Sequence, residues 1–401
     1  MPDHAELRRR LADLVVGFGA NVQPGQIVAI SAYTGMEELT RELARAAYER
    51  GARWVDVALF DLWVKRERLL HAPEDSLDFV PPWLIDRLDW LSAEHAARIS
   101  LNGPTAHDAL DGIDPARAGR DLLPYLPNLN RVINDATTNW CVAPAPTPAW
   151  ASVVYPDLSP DEAHDRLWEA LAHICRLDEA DPVAAWEGRF ARLASVAEML
   201  TTSRFDAIRL HGPGTDLTVG LFPSSTWKAG DFSTVDGLRH APNIPSEEVF
   251  TTPDPLRVDG HVTATRPLVF SGARMDGIRV TFEAGRAVRI DADAGADALR
   301  GIAASDEGAS FLGELALVDG EGRIGPLDTV FHTTLLDENA ASHIALGSAY
   351  ALPVDDEADR ARINRSRVHV DFMIGSPEID VDGVTRDGAV VPLLRQGAWQ
   401  R

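Results

Sequence analysis

The sequence predicts two domains: an α/β domain with a mostly parallel sheet over residues 1–200, and an α+β domain over residues 201–401. Two patterns support this fold class. Apolar strand segments alternate with amphipathic helical segments in the first half, whereas short strands joined by tight turns follow one another in the second. A chain of 401 residues is also long for one domain and comfortable for two.

The first half shows the alternation that βαβ units require. Apolar residues at helical spacing predict a helix over 7–15, and Gly51 is placed to cap a helix over 36–50. The remaining predicted elements are strands over 26–31, 54–60 and 98–101 and a helix over 83–91. Strands separated by helices in this way favour a parallel sheet.

Prolines interrupt the pattern between residues 139 and 160, and we predict an extended crossing segment there. Ser159 and Glu162 then form a capping box, with Pro160 at the first helical position. They predict a helix that runs to about residue 177, and a second helix is expected over 182–200.

The second half favours antiparallel strands. Two short strands are expected over 206–210 and 216–221, around a Gly-Pro-Gly-Thr turn. Two more, over 279–282 and 287–290, flank a four-residue hairpin loop over 283–286.

Composition and motifs exclude several classes of protein. A net charge of −23 repels phosphate backbones and anionic lipid, so neither nucleic acid nor a membrane surface is an expected partner. With no 18-residue apolar run and no signal-like N-terminus, we expect a cytoplasmic protein. Cys141 and Cys175 are expected to be buried thiols. The sequence has neither a P-loop nor a GxSxG elbow, which leaves nucleotide hydrolysis and serine hydrolysis without an anchor.

Residue types that bind metals cluster in the second half. His369 and Asp371 are two apart in a predicted strand over 367–374, so their side chains share one face. Two donors on a rigid strand suit a divalent cation. Taken alone, the same spacing describes an ordinary surface pair.

If the segment 336–350 is helical, His343 and Tyr350 lie on one face two turns apart. Its small and apolar residues predict burial, so both polar groups need partners. The alternative is a core histidine and a core tyrosine with satisfied hydrogen bonds.

Three glutamates occupy unusual positions. Glu314 lies in the apolar run 311–318, where an unpaired charge is costly; the alternative is an amphipathic helix with one solvated edge. Glu247 and Glu248 are adjacent within 243–253, where strand alternation would direct one inward and one outward; the alternative is a solvated loop.

Together these segments supply glutamates, histidines and an aspartate from separate elements, which fits a pair of divalent cations that share a carboxylate. The lack of cysteine ligands favours a catalytic site over a structural zinc site.

These residues give the chain a strong resemblance to the metallo-aminopeptidases of the aminopeptidase T / aminopeptidase S type. Residues 243–253 resemble that family's Pro-Thr-Glu-Glu-Val-Phe-Thr segment, with Ser246 in place of threonine. The segments 313–318, 335–350 and 368–375 follow in the family's order at compatible spacing, and 214–219 resembles a family strand. The similarity covers essentially the full length, with His332 as a local departure from the family's usual tyrosine.

The resemblance implies a set of metal ligands and an active-site tyrosine, Tyr350. The positions that match the family's ligands are Glu248, Glu314, Glu338, His343, His369 and Asp371. It also implies that the N-terminal α/β domain is joined to a C-terminal metal-binding catalytic domain. Homodimers whose active sites face an enclosed cavity are a further implication.

The implied activity is that of a dinuclear-metal aminopeptidase acting on peptides with a free N-terminus. We expect two divalent ions per chain, Zn²⁺, Co²⁺ or Mn²⁺, with Glu314 between them and a metal-bridging hydroxide as the nucleophile. Tyr350 is expected to donate a hydrogen bond to the developing oxyanion. Glu247 is a candidate proton shuttle.

Two other functions compete with this one. A mononuclear non-haem iron ring-cleaving dioxygenase of related architecture needs open positions on a single iron, which a full dinuclear ligand set disfavours. A non-catalytic peptide-binding protein is disfavoured by the retained ligands and by Tyr350.

Overall fold

The computed structural model describes residues 3–400, apart from 107, 119, 122, 125–134, 271 and 272. The chain forms two compact units: Met1–Trp186 with Asp231–Pro245, and Glu187–Gly230 with Ser246–Arg401. The units therefore change within a long helix rather than at residue 200, and a short segment belongs to the first unit out of sequence order. A boundary between independent domains near residue 200 stays a prediction.

The first unit contains a four-stranded sheet in the order β2-β1-β3-β4, and every neighbouring pair is parallel. This confirms the predicted parallel sheet. Its strands are β1 (Ile27–Tyr33), β2 (Trp54–Phe60), β3 (Ala97–Asn102) and β4 (Trp140–Pro144), and the segment 231–245 adds a separate pair, β8 (Phe232–Ser233) and β9 (Arg239–His240).

Helices connect and flank these strands. They are α1 (His4–Leu14), α2 (Glu37–Glu49), α3 (Leu62–His71), α4 (Pro82–Ala93), α5 (Pro115–Ala118), α6 (Pro148–Val154) and α7 (Pro160–Ile174), followed by α8 (Pro182–Ser203), which continues into the second unit. Gly51 follows the end of α2 with a φ of 86°, the left-handed conformation that glycine adopts without strain. The capping box of Ser159 and Glu162 opens α7 as predicted.

The segment between residues 139 and 160 is not an extended crossing, contrary to the prediction. It contains the edge strand β4, which pairs with β3, and the helix α6. Thr147 caps this helix by accepting a hydrogen bond from the Trp150 amide at 3.1 Å. Both elements are short, and a proline at the first position of a helix is compatible with helical structure. The number of prolines was therefore a poor indicator of extended structure here.

The second unit contains two larger antiparallel sheets. The eight-stranded sheet has the order β15-β14-β11-β6-β5-β19-β20-β21. Its strands are β5 (Ala207–Gly212), β6 (Thr215–Leu221), β11 (Pro253–Thr263), β14 (Arg279–Glu283), β15 (Arg286–Asp291), β19 (Asp380–Val384), β20 (Val390–Arg395) and β21 (Ala398–Trp399).

The hairpin between β14 and β15 is tighter than predicted. Glu283 pairs with Arg286, so the loop has two residues, Ala284 and Gly285, rather than four. Their φ values of 47° and 88° are both positive, as a type I′ turn requires.

The five-stranded sheet has the order β18-β17-β16-β10-β7 and carries most of the predicted metal-binding residues. Its strands are β7 (Lys228–Ala229), β10 (Glu248–Thr251), β16 (Leu312–Val318), β17 (His343–Gly347) and β18 (His369–Met373). A two-stranded hairpin, β12 (Leu268–Phe270) with β13 (Ala273–Met275), and the helices α9 (Ala296–Ala303), α10 (Thr334–Asp337) and α11 (Glu357–Arg360) complete the unit.

Two helical interpretations are wrong here. Residues 336–350 do not form one helix: α10 ends at Asp337, a single 3₁₀ turn covers Glu338–Ala340, and β17 begins at His343. Glu314 lies in the strand β16, in which all seven residues are buried, and not on the edge of a helix. Continuous apolar runs of this length are equally typical of buried helices and buried strands, so periodicity could not separate them.

Candidate metal centre

The strand register brings the candidate ligands onto one face of the five-stranded sheet. Glu314, Ala345 and Asp371 are directly paired across β16, β17 and β18, and residues paired in this way point to the same side. His343 pairs with Ala316, and both alanines leave space above the sheet. Larger side chains from the neighbouring strands can therefore converge over them.

A β-bulge determines the direction of Glu314. The pairing between β16 and β17 shifts register between Leu312 and Glu314, which leaves Gly313 as the extra residue. A Cβ at Gly313 would overlap the carbonyl oxygens of Gly347 and Ser348. Only glycine fits at this position.

Glu314 lies between the two histidines. Its Oε1 is 3.8 Å from Nε2 of His343, and its Oε2 is 3.6 Å from Nε2 of His369. Glu248 Oε2 is 3.1 Å from the first histidine, and Asp371 Oδ1 is 3.2 Å from the second. The five residues form two groups of three that share Glu314, and the donor atoms of each group lie within 4.8 Å of one another.

Backbone carbonyls orient both imidazole rings. Nδ1 of His343 donates to the Ala341 carbonyl at 3.2 Å, and Nδ1 of His369 donates to the Ser348 carbonyl at 2.7 Å. Because a carbonyl oxygen only accepts, the proton sits on Nδ1 and Nε2 faces the carboxylates. This is the orientation that histidine ligands of metals take.

Two buried carboxylate oxygens indicate that the cluster is suited to a cation. Oε2 of Glu248 and Oδ1 of Asp371 are inaccessible to water and lack a well-formed hydrogen bond. Each oxygen lies beside Nε2 of a histidine, at 3.1 and 3.2 Å, and a buried carboxylate of this kind is costly unless a cation compensates its charge. A divalent ion would satisfy both atoms, so the donor set fits a metal.

Without a metal, burial and the neighbouring charges shift the pKa values of the histidines and carboxylates in the cluster. Burial opposes protonation of His369, but the charge of Asp371 outweighs it and raises the pKa of this histidine to about 10. The pKa of His343 is also raised well above its usual value: burial opposes the charge, whereas hydrogen bonds to Glu248 and Glu314 favour it. Burial raises the pKa of Glu314. A metal therefore competes with protons on the imidazoles.

Tyr350 and Glu338 lie at the margin of the cluster. Tyr350 is in the loop after β17, and the centre of its ring is 5.6 Å from that of His369. Tyr350 as a whole residue is 44% exposed, whereas burial around its hydroxyl group and the charge of Glu314 raise its pKa. Glu338 is outside both groups of three, but burial and the charge of Asp371 raise its pKa well above the usual value.

Glu247 does not share the site with its neighbour, and neither residue of the pair points to water. Both glutamates are buried, so the expected outward carboxylate is absent. Glu247 binds Arg189 instead, with 2.5 Å between Oε2 and Nε. This contact argues against its candidate role as a proton shuttle. His332 lies in the loop before α10 with a φ of 58°. We assign no role to it.

Sequence analysis missed the polar residues behind the site, namely Arg189, Asp319 and Asn339, all of which are buried. A signal was available for the first. Trp186 lies three residues before Arg189 on α8 and Leu193 lies four residues after it, and both are buried. A charged residue on an apolar helix face needs a buried partner.

Among the described residues, no helix is long and apolar enough to cross a membrane. The two cysteines, Cys141 and Cys175, are free and buried, as predicted. Burial raises the pKa of Cys175 to about 12, which keeps this thiol protonated.

A buried set of carboxylates and histidines without cysteine is typical of metal-dependent hydrolases. Comparison with known proteins gives a narrower assignment. The family described as thermophilic metalloprotease (M29) matches residues 4–399, and the chain belongs to this family. The predicted family is therefore confirmed.

Similar proteins cover the whole chain. Aminopeptidase T of Thermus aquaticus is 42% identical over 408 residues, which is 100% of both chains. Aminopeptidase 2 of Geobacillus stearothermophilus is 38% identical over 97% of both. The structure of wild-type AmpT from Thermus thermophilus matches with a TM-score of 0.92, 42% identity and 99% coverage of each chain.

The expected enzyme class, a metal-dependent exopeptidase, is confirmed by the metalloprotease family and by relatives named as aminopeptidases. None of these relatives supports the ring-cleaving dioxygenase alternative.

Proposed function

We propose that this protein is a dinuclear-metal aminopeptidase that releases the N-terminal residue of peptides. One observation carries the proposal: the two oxygens of Glu314 face two different histidines, each of which has a second carboxylate beside it. A carboxylate in this position is arranged to bridge two cations.

Each proposed metal position has its own ligands. The first, M1, is formed by Glu248, Glu314 and His343, and the second, M2, by Glu314, His369 and Asp371. Glu338 is proposed as a further ligand on the basis of the family resemblance and its place beside the cluster. Mixed imidazole and carboxylate sets accept Zn²⁺, Co²⁺ and Mn²⁺.

When bound, two divalent ions supply Lewis acidity and an activated water at neutral pH. The protein's own groups do the rest. Tyr350 is protonated at neutral pH, as any ordinary phenol is, and its raised pKa extends that range; it can therefore donate a hydrogen bond to the oxyanion of the attacked carbonyl. Such a donor contributes about 3 kcal/mol to transition-state binding. The carboxylates of the cluster attract the α-ammonium group of a peptide, which selects substrates with a free N-terminus.

We further propose a homodimer located in the cytoplasm. The family resemblance supports the homodimer, and the location is the expectation drawn from the sequence. Size-exclusion chromatography with light scattering should give about twice the mass of one chain, and a monomeric mass would contradict the first of these proposals.

The main test uses an aminoacyl-p-nitroanilide panel with metal-depleted protein to which Zn²⁺, Co²⁺ or Mn²⁺ is returned. Metal-dependent release of nitroaniline, absent when the α-amine is acetylated, is the expected result. The same preparations should bind two equivalents of metal. One iron per chain, together with oxygen consumption on a dihydroxypyridine, would instead identify a dioxygenase.

A further inference from the structure

A buried polar network lies directly behind the candidate metal centre, within the same unit. Arg189 of α8 binds Glu247 through Nε at 2.5 Å and holds Asp319 with two nitrogens, at 2.9 and 3.2 Å. Trp399 donates to the same aspartate at 2.8 Å. All three charged side chains are almost fully buried.

The two carboxylates bound by Arg189 mark the ends of two ligand-bearing strands. Glu247 immediately precedes β10, whose first residue is Glu248. Asp319 immediately follows β16, the strand that carries Glu314. Glu248 pairs with the last residue of β16, so the guanidinium group clamps the two strands where they meet.

The network also reaches the turn that holds Glu338. The amide of Glu247 donates to Oδ1 of Asn339 at 2.6 Å, and Nδ2 of Asn339 donates to the Leu335 carbonyl at 3.0 Å. The same nitrogen is 3.5 Å from Oε1 of Glu338. One arginine is thus connected to the backbone of three segments that carry candidate ligands.

Stability alone does not account for such a network. Buried ion pairs are often replaceable by apolar residues of similar size without loss of stability, because desolvation offsets the attraction. Fixing geometry is a role that apolar contacts perform less well. A planar guanidinium group with several donors is suited to it.

We propose that Arg189 is a positioning residue for the metal centre: it fixes Glu248 at the M1 position, orders the turn that carries Glu338, and holds the neighbouring carboxylate of Glu247 away from the metal. The inference rests on the proposed function. It predicts an uneven effect, since the network contacts Glu247, next to Glu248 of M1, whereas His369 and Asp371 of M2 lie on β18, which β16 and β17 separate from β10.

The test is a competition titration of metal-depleted protein with Zn²⁺ and a chromophoric chelator. For R189M we expect the dissociation constant of one binding step to rise about tenfold or more, as for other groups that orient metal ligands. The other step should change less than threefold. Arg189→Lys, which keeps the charge but loses the two-armed contact, should lie between R189M and the unaltered protein.

Arg192→Met is the matched control. Arg192 is one helical turn further along α8 and pairs with Glu321 at 2.6 Å, but on the surface. It should leave both binding steps unchanged. If R189M does not fold, Glu247→Gln tests the same contact without removing the arginine and should weaken one step severalfold.

The outcomes separate the two proposals. If the unaltered protein binds no divalent metal and releases no N-terminal residue, the proposed function fails. If it binds two ions, but the Arg189 and Glu247 variants match Arg192→Met in both steps, the positioning role is overturned and the function stands. The positioning role is also overturned if the Arg189 and Glu247 variants melt at a lower temperature without metal but keep the same ratio of the two metal dissociation constants.

Discussion

The parallel sheet of the first unit and the five-stranded sheet of the second bury their central strands to a similar degree with different side chains. In the first sheet the interior is apolar, as at Ile30 and Ile99, which are fully buried. In the second, Glu314 and His343 occupy equally buried places. Burial stabilises the first set of residues and opposes the charge of the second. Buried ionisable groups that oppose folding in this way mark the part of a protein that binds and reacts.

The largest expected effect comes from removing the shared carboxylate. Glu314→Gln keeps the shape of the side chain and removes its charge, so activity on aminoacyl-nitroanilides should fall at least ~10³-fold. Because burial already raises the pKa of Glu314, the metal-free variant should melt no lower than the unaltered protein. His261→Ala, on an exposed position of β11, is the control. Retention of activity by Glu314→Gln or by His369→Ala would remove the metal centre from the mechanism.

Tyr350→Phe tests the proposed donor. The loss of one hydrogen bond to the oxyanion should lower kcat about 10²-fold while KM and both metal affinities change little. Tyr48→Phe provides a control in the first unit, where the tyrosine is similarly exposed, at 49%, and its hydroxyl accepts from the Val55 amide. Equal kinetic effects of the two changes would contradict a catalytic role for Tyr350.

Gly313→Ala tests the bulge. The added methyl group meets the Ser348 carbonyl, which also holds His369, so both the strand and the imidazole must shift. Overpacking of this kind costs about 1–3 kcal/mol of stability, and a displacement near 1 Å lowers activity about 10²-fold. Gly301→Ala in α9 places its methyl group in open space and should leave activity unchanged. Melting curves and kcat of the two variants make the comparison.

A dependence on pH gives the smallest step, about tenfold in metal affinity for each pH unit. His369 has a pKa of about 10 in the metal-free protein, above the ordinary 6.5, so the fold stabilises its protonated form. That stabilisation is complete below pH 6.5 and is lost as the pH rises through about 10. A metal must displace the proton from Nε2, so the dissociation constant should fall about tenfold per pH unit between about pH 6 and 9.

Isothermal titration in buffers of different ionisation enthalpy would count the released protons. A dissociation constant that does not change with pH would mean that the imidazoles are not ligands. In the metal-free protein the melting temperature should fall as the pH rises from about 6 to 9, because His369 loses its stabilised proton. Added metal should abolish this dependence on pH.

The difference between the two sheets also explains which elements and site residues could be predicted from the sequence. The strands β1 to β3 and the helices α1, α2, α4 and α7 of the first unit followed from periodicity, because their buried faces are apolar, whereas β4 and α6 did not. The shared face of His369 and Asp371 followed from a period of two, and the 3.2 Å contact between them agrees. The match of Glu248, Glu314 and His343 to ligand positions came from the family resemblance.

The errors in the second unit arose where the local sequence pattern does not determine the structure. The strand β17 was taken for part of a helix, because an apolar run fits either element. The bulge at Gly313 and the pairing of Glu314 with Ala345 depend on a partner strand about thirty residues away, which no local pattern contains. The place of Arg189 on an apolar helix face was visible in the sequence, but its partners Glu247 and Asp319 lie 58 and 130 residues away and could not be inferred from local pattern.

Because four neighbouring strands carry five of the proposed ligands, main-chain hydrogen bonding sets the spacing of these residues. Adjacent strands are held about 4.8 Å apart, and Glu314, Ala345 and Asp371 form a row across three of them. The sheet therefore fixes the distances between the donor atoms. Substitutions that leave the ladder intact can change which ion is preferred, but a change in the separation of the donors requires one strand to slide against its neighbour.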